Sequence, residues 1–326
     1  MQSAFWTGIF SIIEKKRYGK KILETPIPED PVFIIGHWRT GTTLLHQLLN
    51  LDPNLATPTL FQVAEPECFL SSGYYYRPVF RMILPKHRPM DNVRMGMDEP
   101  QEDEYAIFRL TDYSPLEGLV FPKNSGFFLT GATSFLPPDE PGQKRWNEAL
   151  LSYYRKLHFH YGKTLVSKNP FNSLRIRELA TLFPKARFIH IYRHPYDVIP
   201  SAINMWKIVL SQNRLNNKGS VPGIPEAIVI FDKVLTTIRQ DLQTIPAENV
   251  VEIKFEHLEA DPAGQMQMIY SKLGLPFRED LTLKIKAYTD DLKKNYRKNE
   301  FFLTEEEKHQ IDLGLKHHIH FYYEDH

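Results

Sequence analysis

Hydrophobic and polar positions in this chain fall into repeating blocks, each a short apolar run, a turn, and a longer stretch of helical spacing. Val32-Phe33-Ile34-Ile35 is a continuous apolar run that predicts a buried strand, and Leu44, Leu45, Leu48 and Leu49 then mark one packed face of a helix. The block recurs at 164–167, where a turn Lys168-Asn169-Pro170 leads into Leu174, Ile176, Leu179 and Leu182. It recurs again at 187–192, where Arg193-His194-Pro195 leads into Val198, Ile199, Ala202 and Ile203, and at 250–255 before a helix about 266–273. Such alternation predicts an α/β fold of three layers, P-loop-like, with a central parallel sheet flanked by helices. Ligands then bind where the strands end.

Two segments stand outside this rhythm. Phe5, Trp6, Ile9, Phe10, Ile12 and Ile13 precede Lys15, Lys16 and Arg17, an order opposite to that of a secretory signal. An amphipathic helix over residues 1–30 is expected, packed on its own domain, with peripheral contact to a membrane surface or a partner as the alternative. Pro26, Pro28 and Pro31 separate it from one domain over 31–326, which carries an aromatic-rich helical insertion at about 65–160 that periodicity does not resolve. Residues 211–223 include Asn216, Asn217, Gly219, Ser220 and Pro222 and read as a mobile loop or lid.

Composition narrows the class. With 326 residues, 42% hydrophobic and 24% charged, the chain is an ordinary globule with room for a full core. A net charge of +1 gives no general field, which argues against a nucleic-acid binder, so any attraction for anions is local. The lone cysteine, Cys68, excludes an internal disulfide framework and a multi-cysteine zinc site, and reads as a small buried hydrophobe. Without an apolar run of about 20 residues, a soluble, cytoplasmic protein is expected.

The candidate chemistry is cationic. Between the first strand and its helix lies Gly36-His37-Trp38-Arg39-Thr40-Gly41-Thr42-Thr43, a phosphate-loop pattern at a helix N-terminus. In a Walker loop a lysine stands where this chain has Thr42, and the cation here is Arg39, on the bend itself. A γ-phosphate therefore lacks an obvious counter-ion. The strand at 187–192 ends in Arg193 where a nucleotide hydrolase has a magnesium-handling aspartate, so this position suits an anion. Arg193, Asp197 and Ser201 recur at four-residue spacing along one helix face, with Arg193 and Ser201 placed to grip a phosphate and Asp197 to orient the arginine. Asn295-Tyr296-Arg297-Lys298 is a third basic cluster.

Together, Arg39-Thr40-Gly41-Thr42-Thr43 after a strand and Arg193-His194-Pro195-Tyr196-Asp197 with Ser201 resemble the sulfotransferases that use 3′-phosphoadenosine-5′-phosphosulfate. The resemblance spans about residues 31–300 and implies that Arg39, Thr40, Gly41, Thr42 and Thr43 hold the 5′-phosphosulfate. It implies that Arg193 and Ser201, with Arg297 and Lys298 closing over them, hold the 3′-phosphate. Lys168-Asn169-Pro170-Phe171 resembles the Lys-x-Pro-Phe turn of the tyrosylprotein branch, which makes Lys168 the cation at the bridging oxygen. Asp98-Glu99-Pro100-Gln101-Glu102-Asp103-Glu104 looks like bacterial small-molecule members. Cytosolic members carry Lys-Ser at Arg39-Thr40, and the tyrosylprotein glutamate base has no counterpart in Thr57-Pro58-Thr59-Leu60.

A base remains to be chosen among His46, one turn beyond Thr43, and Glu102 and Glu104 after Pro100. No metal is required, and the histidines form no compact ligand set; His317, His318 and His320 read as surface residues. The insertion is the expected acceptor site, and Tyr74-Tyr75-Tyr76, Phe127-Phe128 and Phe301-Phe302 suit a hydroxylated sterol, lipid or phenol. A carbohydrate or protein-tyrosine acceptor stays open. The rival readings are a P-loop kinase and a nucleotide-binding module without catalysis.

Overall fold

The apolar runs become strands β1 (Val32–Ile35), β3 (Thr164–Lys168), β4 (Arg187–Tyr192) and β5 (Val250–Lys254), joined by a two-residue β2 (Leu55–Ala56) too short to leave a periodic trace. The chain was described from a computed structural model, which covers residues 2–84, 95–111, 113–117, 137, 139–213, 221–295 and 299–323. All pairings are parallel, in the order β2-β3-β1-β4-β5. Register sets Ile34 beside Lys168 on one flank and Ile189 on the other. From β1 the chain crosses first to the β2 side and later to the β4 side, so the end of β1 is a topological switch point.

Helices α1 (Gln2–Glu24), α2 (Thr42–Asn50), α3 (Leu60–Ala64), α4 (Phe69–Ile83), α5 (Glu104–Leu110), α6 (Glu140–Tyr161), α7 (Ile176–Leu182), α8 (Pro195–Asn213), α9 (Ile224–Leu242), α10 (Phe255–Ala260), α11 (Pro262–Lys272), α12 (Glu279–Asn295) and α13 (Glu305–Tyr322) complete the described elements. The pleat divides the strand side chains between two cores, as a sheet buried on both faces demands. Phe33, Ile35, Leu165 and Phe188 join Trp146, Tyr154 and Phe231 on one side. Val32, Ile34, Val166 and Ile189 join Leu45, Leu48 and Leu49 on the other.

The structure sharpens the sequence reading at several points. The last strand stops at Lys254, and Phe255 opens α10 with its ring buried. The described part of 65–160 is mostly helix, and Asp139 caps α6 by accepting from Gly142 N at 2.9 Å. The loop at 214–220 lies outside the described residues. Helix α1 packs through Thr7 and Glu14 together with the rings of Phe10 and Tyr18. Thr7 donates to Glu65 at 3.0 Å, and Glu14 pairs with Lys156 while accepting from the amides of Leu70 and Ser71 at 2.8 and 3.1 Å. Those amides belong to the first turn of α4, so a carboxylate on one helix caps the next. Among the described residues no helix is long and apolar enough to cross a membrane.

Candidate active site

The loop after β1 is built for close approach. At Gly36 (φ +150) a Cβ would fall 2.4 Å from the Ile191 carbonyl oxygen, and at Gly41 (φ +95) it would fall 2.2 Å from Cδ2 of Phe255. Ser173 Oγ accepts from Gly36 N at 2.9 Å and donates to Gly36 O at 3.0 Å, while Thr40 Oγ1 donates to His37 O at 2.8 Å. Arg39 is held in the left-handed region at φ 71, a strained state for a residue with a Cβ and one that concentrates at ligand sites. Thr42 starts α2 without a side-chain cap, and a helix N-terminus of this kind suits an anion.

The second cationic turn meets this loop. Arg39 Nε donates to Ser201 Oγ at 2.9 Å, joining the end of β1 to the first turns of α8. The Arg193 guanidinium lies 4.6 Å over the ring of Phe255, the same ring that packs on Gly41. Asp197 reaches Arg193 at 3.4 Å, as the four-residue spacing predicts. Arg193 Nε is buried and has no hydrogen-bond partner among the described residues, and Arg193 O accepts from Tyr323 at 2.5 Å. Arg193, Ser201 and Arg39 thus converge beside the start of α2 in one polar cradle, whose positive charge suits an anion. Arg297 and Lys298 lie outside the described residues.

Beside the cradle, Thr43, His46, Gln47, Leu60, Glu99 and Lys168 line a small cleft, flanked by the chain at 95–101. Lys168, the last residue of β3, is almost wholly buried and donates to Glu102 at 2.5 Å. Burial, and then the neighbouring Lys168 charge, drive the His46 pKa well below its ordinary 6.5. The imidazole is therefore neutral, and its Nε2 has no partner among the described residues. Glu99, which accepts from Gln47 at 3.3 Å, is a cleft residue that the sequence reading passed over within its acidic run.

That run is a clamp. Glu102 takes Lys168; Asp103 accepts from Ser167 and Tyr154 at 2.6 Å and from Asn169 at 2.9 Å; Glu104 accepts from Arg175 at 2.6 Å, Ser114 at 2.7 Å and Asn169 at 2.9 Å. The start of α5 is thereby fastened to the end of β3. Burial pushes both Asp103 and Glu104 upward; Asp103 stays raised, whereas the Arg175 guanidinium brings Glu104 below its ordinary value. The expectation of Glu104 as a base is corrected: its carboxylate is wholly buried, bound on both oxygens and absent from the cleft wall.

Two further readings bear on residues away from the cleft. None of Tyr74, Tyr75, Tyr76, Phe301 or Phe302 lines the cleft, and Phe127 and Phe128 lie outside the described residues. His317 and His320 are exposed, but His318 is fully buried, and the Nε2 atoms of His317 and His318 each lie 3.1 Å from Oδ1 of Asp232. The ligand atoms of these three residues fall within 4.8 Å of one another, a compact grouping between α9 and α13.

Comparison with known proteins follows the same line. Residues 31–279 match the model of the Sulfotransferase family. The chain is 31% identical over 303 residues, 92% of its length and 76% of the relative's, to the omega-hydroxy-beta-dihydromenaquinone-9 sulfotransferase Stf3 of Mycobacterium bovis. Its fold is similar to that of sulfotransferase STF9 from Mycobacterium avium, with a TM-score of 0.67 at 18% identity over 97% of this chain and 82% of that one. Sulfotransferase STF1 from Mycobacterium tuberculosis gives a TM-score of 0.61 at 17% identity, over 93% of this chain and 81% of that one. The family match over residues 31–279 and the relative at 31% identity show that the chain belongs to the sulfotransferase family.

Proposed function

We propose that the protein transfers a sulfuryl group from 3′-phosphoadenosine-5′-phosphosulfate to the hydroxyl of a lipophilic small molecule. The observation that carries this reading is the 2.9 Å hydrogen bond from Arg39 to Ser201, which makes a single cradle of two turns far apart in sequence. Arg39 and the amides of residues 40–43 hold the phosphosulfate; Arg193 and Ser201 hold the 3′-phosphate. Lys168 leaves Glu102 to meet the bridging oxygen. Leu60, Met95 and Pro100 give the adjoining cleft an apolar wall, and the relative in Mycobacterium bovis is named for a hydroxylated menaquinone.

In the transfer step the sulfur–bridging-oxygen bond breaks as the acceptor oxygen bonds to sulfur. The leaving phosphate oxygen keeps the electron pair beside Lys168, and the acceptor proton passes to Nε2 of His46. Positioning and preformed positive charge carry the rate, with no metal assigned to the step. Glu102 holds the Lys168 ammonium in place until the donor arrives. Calorimetric titration with 3′,5′-adenosine diphosphate, paired with a mass-spectrometric screen for sulfated hydroxyl compounds, tests the reading. Arg193→Ala is expected to weaken nucleotide binding by roughly 10-fold or more, the loss of charge-assisted hydrogen bonds. Unchanged affinity removes Arg193 from the donor site. Magnesium-dependent ATP turnover points instead to a kinase, and tight binding with no transfer across the panel to a binding module.

A further inference from the structure

Helix α1 is turned inside out. Its buried line is polar, Thr7 and Glu14, while Phe5, Trp6, Ile12 and Ile13 face outward, with Ile12 70% exposed. Helical spacing sets Phe5, Ile9, Ile12 and Lys16 on one face, opposite the Thr7–Glu14 line. The docked side also carries the rings of Phe10 and Tyr18, against Tyr75, Tyr76 and Phe159, but Phe5, Trp6, Ile12 and Ile13 lie in water and gain nothing from their apolar surface within this fold.

Helix α4 extends the same surface. The two helices run antiparallel, Glu14 lying against Leu70 and Ser71 and the Phe10 ring 5.2 Å from that of Tyr75. The antiparallel course brings the exposed start of α1 toward the exposed end of α4, where Val79, Met82 and Ile83 stand out, Met82 at 86%. Charge on the pair is one-sided. Lys15, Lys16, Arg17, Lys20 and Lys21 follow the apolar half of α1; its acids are Glu14, buried on Lys156, and Glu24, and α4 carries Arg77 and Arg81 with no acid. In a chain of net charge +1 this is a local concentration of positive charge beside exposed Trp, Tyr, Ile and Met.

We propose that the outer faces of α1 and α4 dock on an anionic lipid bilayer, with the apolar residues entering the headgroup boundary and the lysines meeting its charge. Amphipathic helices with aromatic and aliphatic residues on one side and basic residues beside them bind in this manner. The surface also adjoins the cleft: Arg77 pairs with Asp98 and stacks 5.0 Å over Phe61, and Gly96 and Glu99, flanking Asp98, line the cleft. The inference rests on the lipophilic acceptor proposed above, since a docked enzyme meets a membrane-dissolved hydroxyl without lifting it through water.

The full chain is mixed with vesicles of phosphatidylcholine alone or doped with phosphatidylglycerol, and binding is read by sedimentation and by quenching from brominated acyl chains. Of the 4 tryptophans only Trp6 is exposed, so quenching reports α1. Binding to the doped vesicles with Trp6 quenched is expected, reduced by about 10-fold or more in Ile12→Glu/Met82→Glu and in Lys16→Glu/Lys20→Glu. Both variants are expected to retain nucleotide affinity and transfer to a soluble acceptor. No sedimentation, equal binding to neutral and anionic vesicles, or self-association abolished by Ile12→Glu without vesicle binding overturns the inference. Absent vesicle binding with intact transfer sinks only the docking; intact docking without nucleotide binding sinks only the proposed reaction.

Discussion

The proposed donor cradle and acceptor cleft lie at the carboxyl ends of neighbouring inner strands, yet they are built by opposite means. Residues of the cradle come from two contiguous motifs, Gly36–Thr43 and Arg193–Ser201, and their geometry follows from backbone: glycines at +150 and +95, a strained Arg39 at φ 71, an uncapped helix start. The cleft is assembled by burying charge. Glu102, Asp103 and Glu104 reach Lys168, Ser167, Asn169 and Arg175 across more than 60 residues of sequence, and the fold holds because each buried carboxylate finds its partners. A site made of backbone can lose one side chain and keep its shape. A site made of fully buried charge pairs, as Glu104 with Arg175, cannot.

The largest expected effect follows from that contrast. Glu104→Ala strips the carboxylate from Arg175, whose side chain is 0% exposed, and should destabilise the fold by about 3–5 kcal/mol, read by denaturant unfolding. Replacing both partners, as Glu104→Met/Arg175→Met, should recover much of that loss, because it is the abandoned charge that costs most. A small effect from the single variant breaks the comparison, since the clamp is then no more than decoration around a core that stands without it.

At Arg39 in the cradle, and at Lys168, whose partner Glu102 is 17% exposed, the expected loss is in rate with stability kept. Arg39→Ala and Lys168→Ala should each lower kcat by about 100-fold or more, the usual cost of removing a donor aimed at transition-state charge. Their thermal midpoints should stay near that of the parent protein, because Arg39 bonds at the rim and Glu102, left behind by Lys168, has a route to solvent. Near-normal turnover in either variant takes that residue out of the mechanism.

The same division governs what sequence makes visible. Strand–turn–helix repeats, the Arg39 and Arg193 turns and the Asp197 and Ser201 spacing are local patterns, and local backbone geometry turns them directly into a cradle. The partners of Asp103 and Glu104 are set by which side chains a tertiary fold brings near a buried carboxylate, and no short window of sequence holds that information. Helix α1 shows the same limit from another side. Its apolar residues announced amphipathicity, but which face would dock depended on Glu65, Lys156 and the first-turn amides of α4, all distant in the chain. β2 was missed for the plainer reason that two residues carry no period.

The smallest expected effect sharpens the comparison where the two halves touch, at His46. Its side chain is buried beside Lys168, and its pKa in the folded protein lies below the ordinary 6.5, so the folded state prefers the neutral ring. The sign follows: stability from neutral His46 is fully present above about pH 6.5 and declines as pH falls, because the unfolded chain takes up the proton first. Lowering pH below about 6.5 should therefore reduce the thermal midpoint modestly, and His46→Gln should flatten part of that slope. If His46 is the base, the acid limb of kcat/KM in the parent enzyme should also sit below 6.5, leaving the rate flat from there toward pH 8. An acid limb at the ordinary histidine position places the working imidazole in a solvated setting that this cleft does not provide. Full transfer by His46→Gln assigns the acceptor proton to a carboxylate of the acidic run, and the clamp would then be chemistry as well as structure.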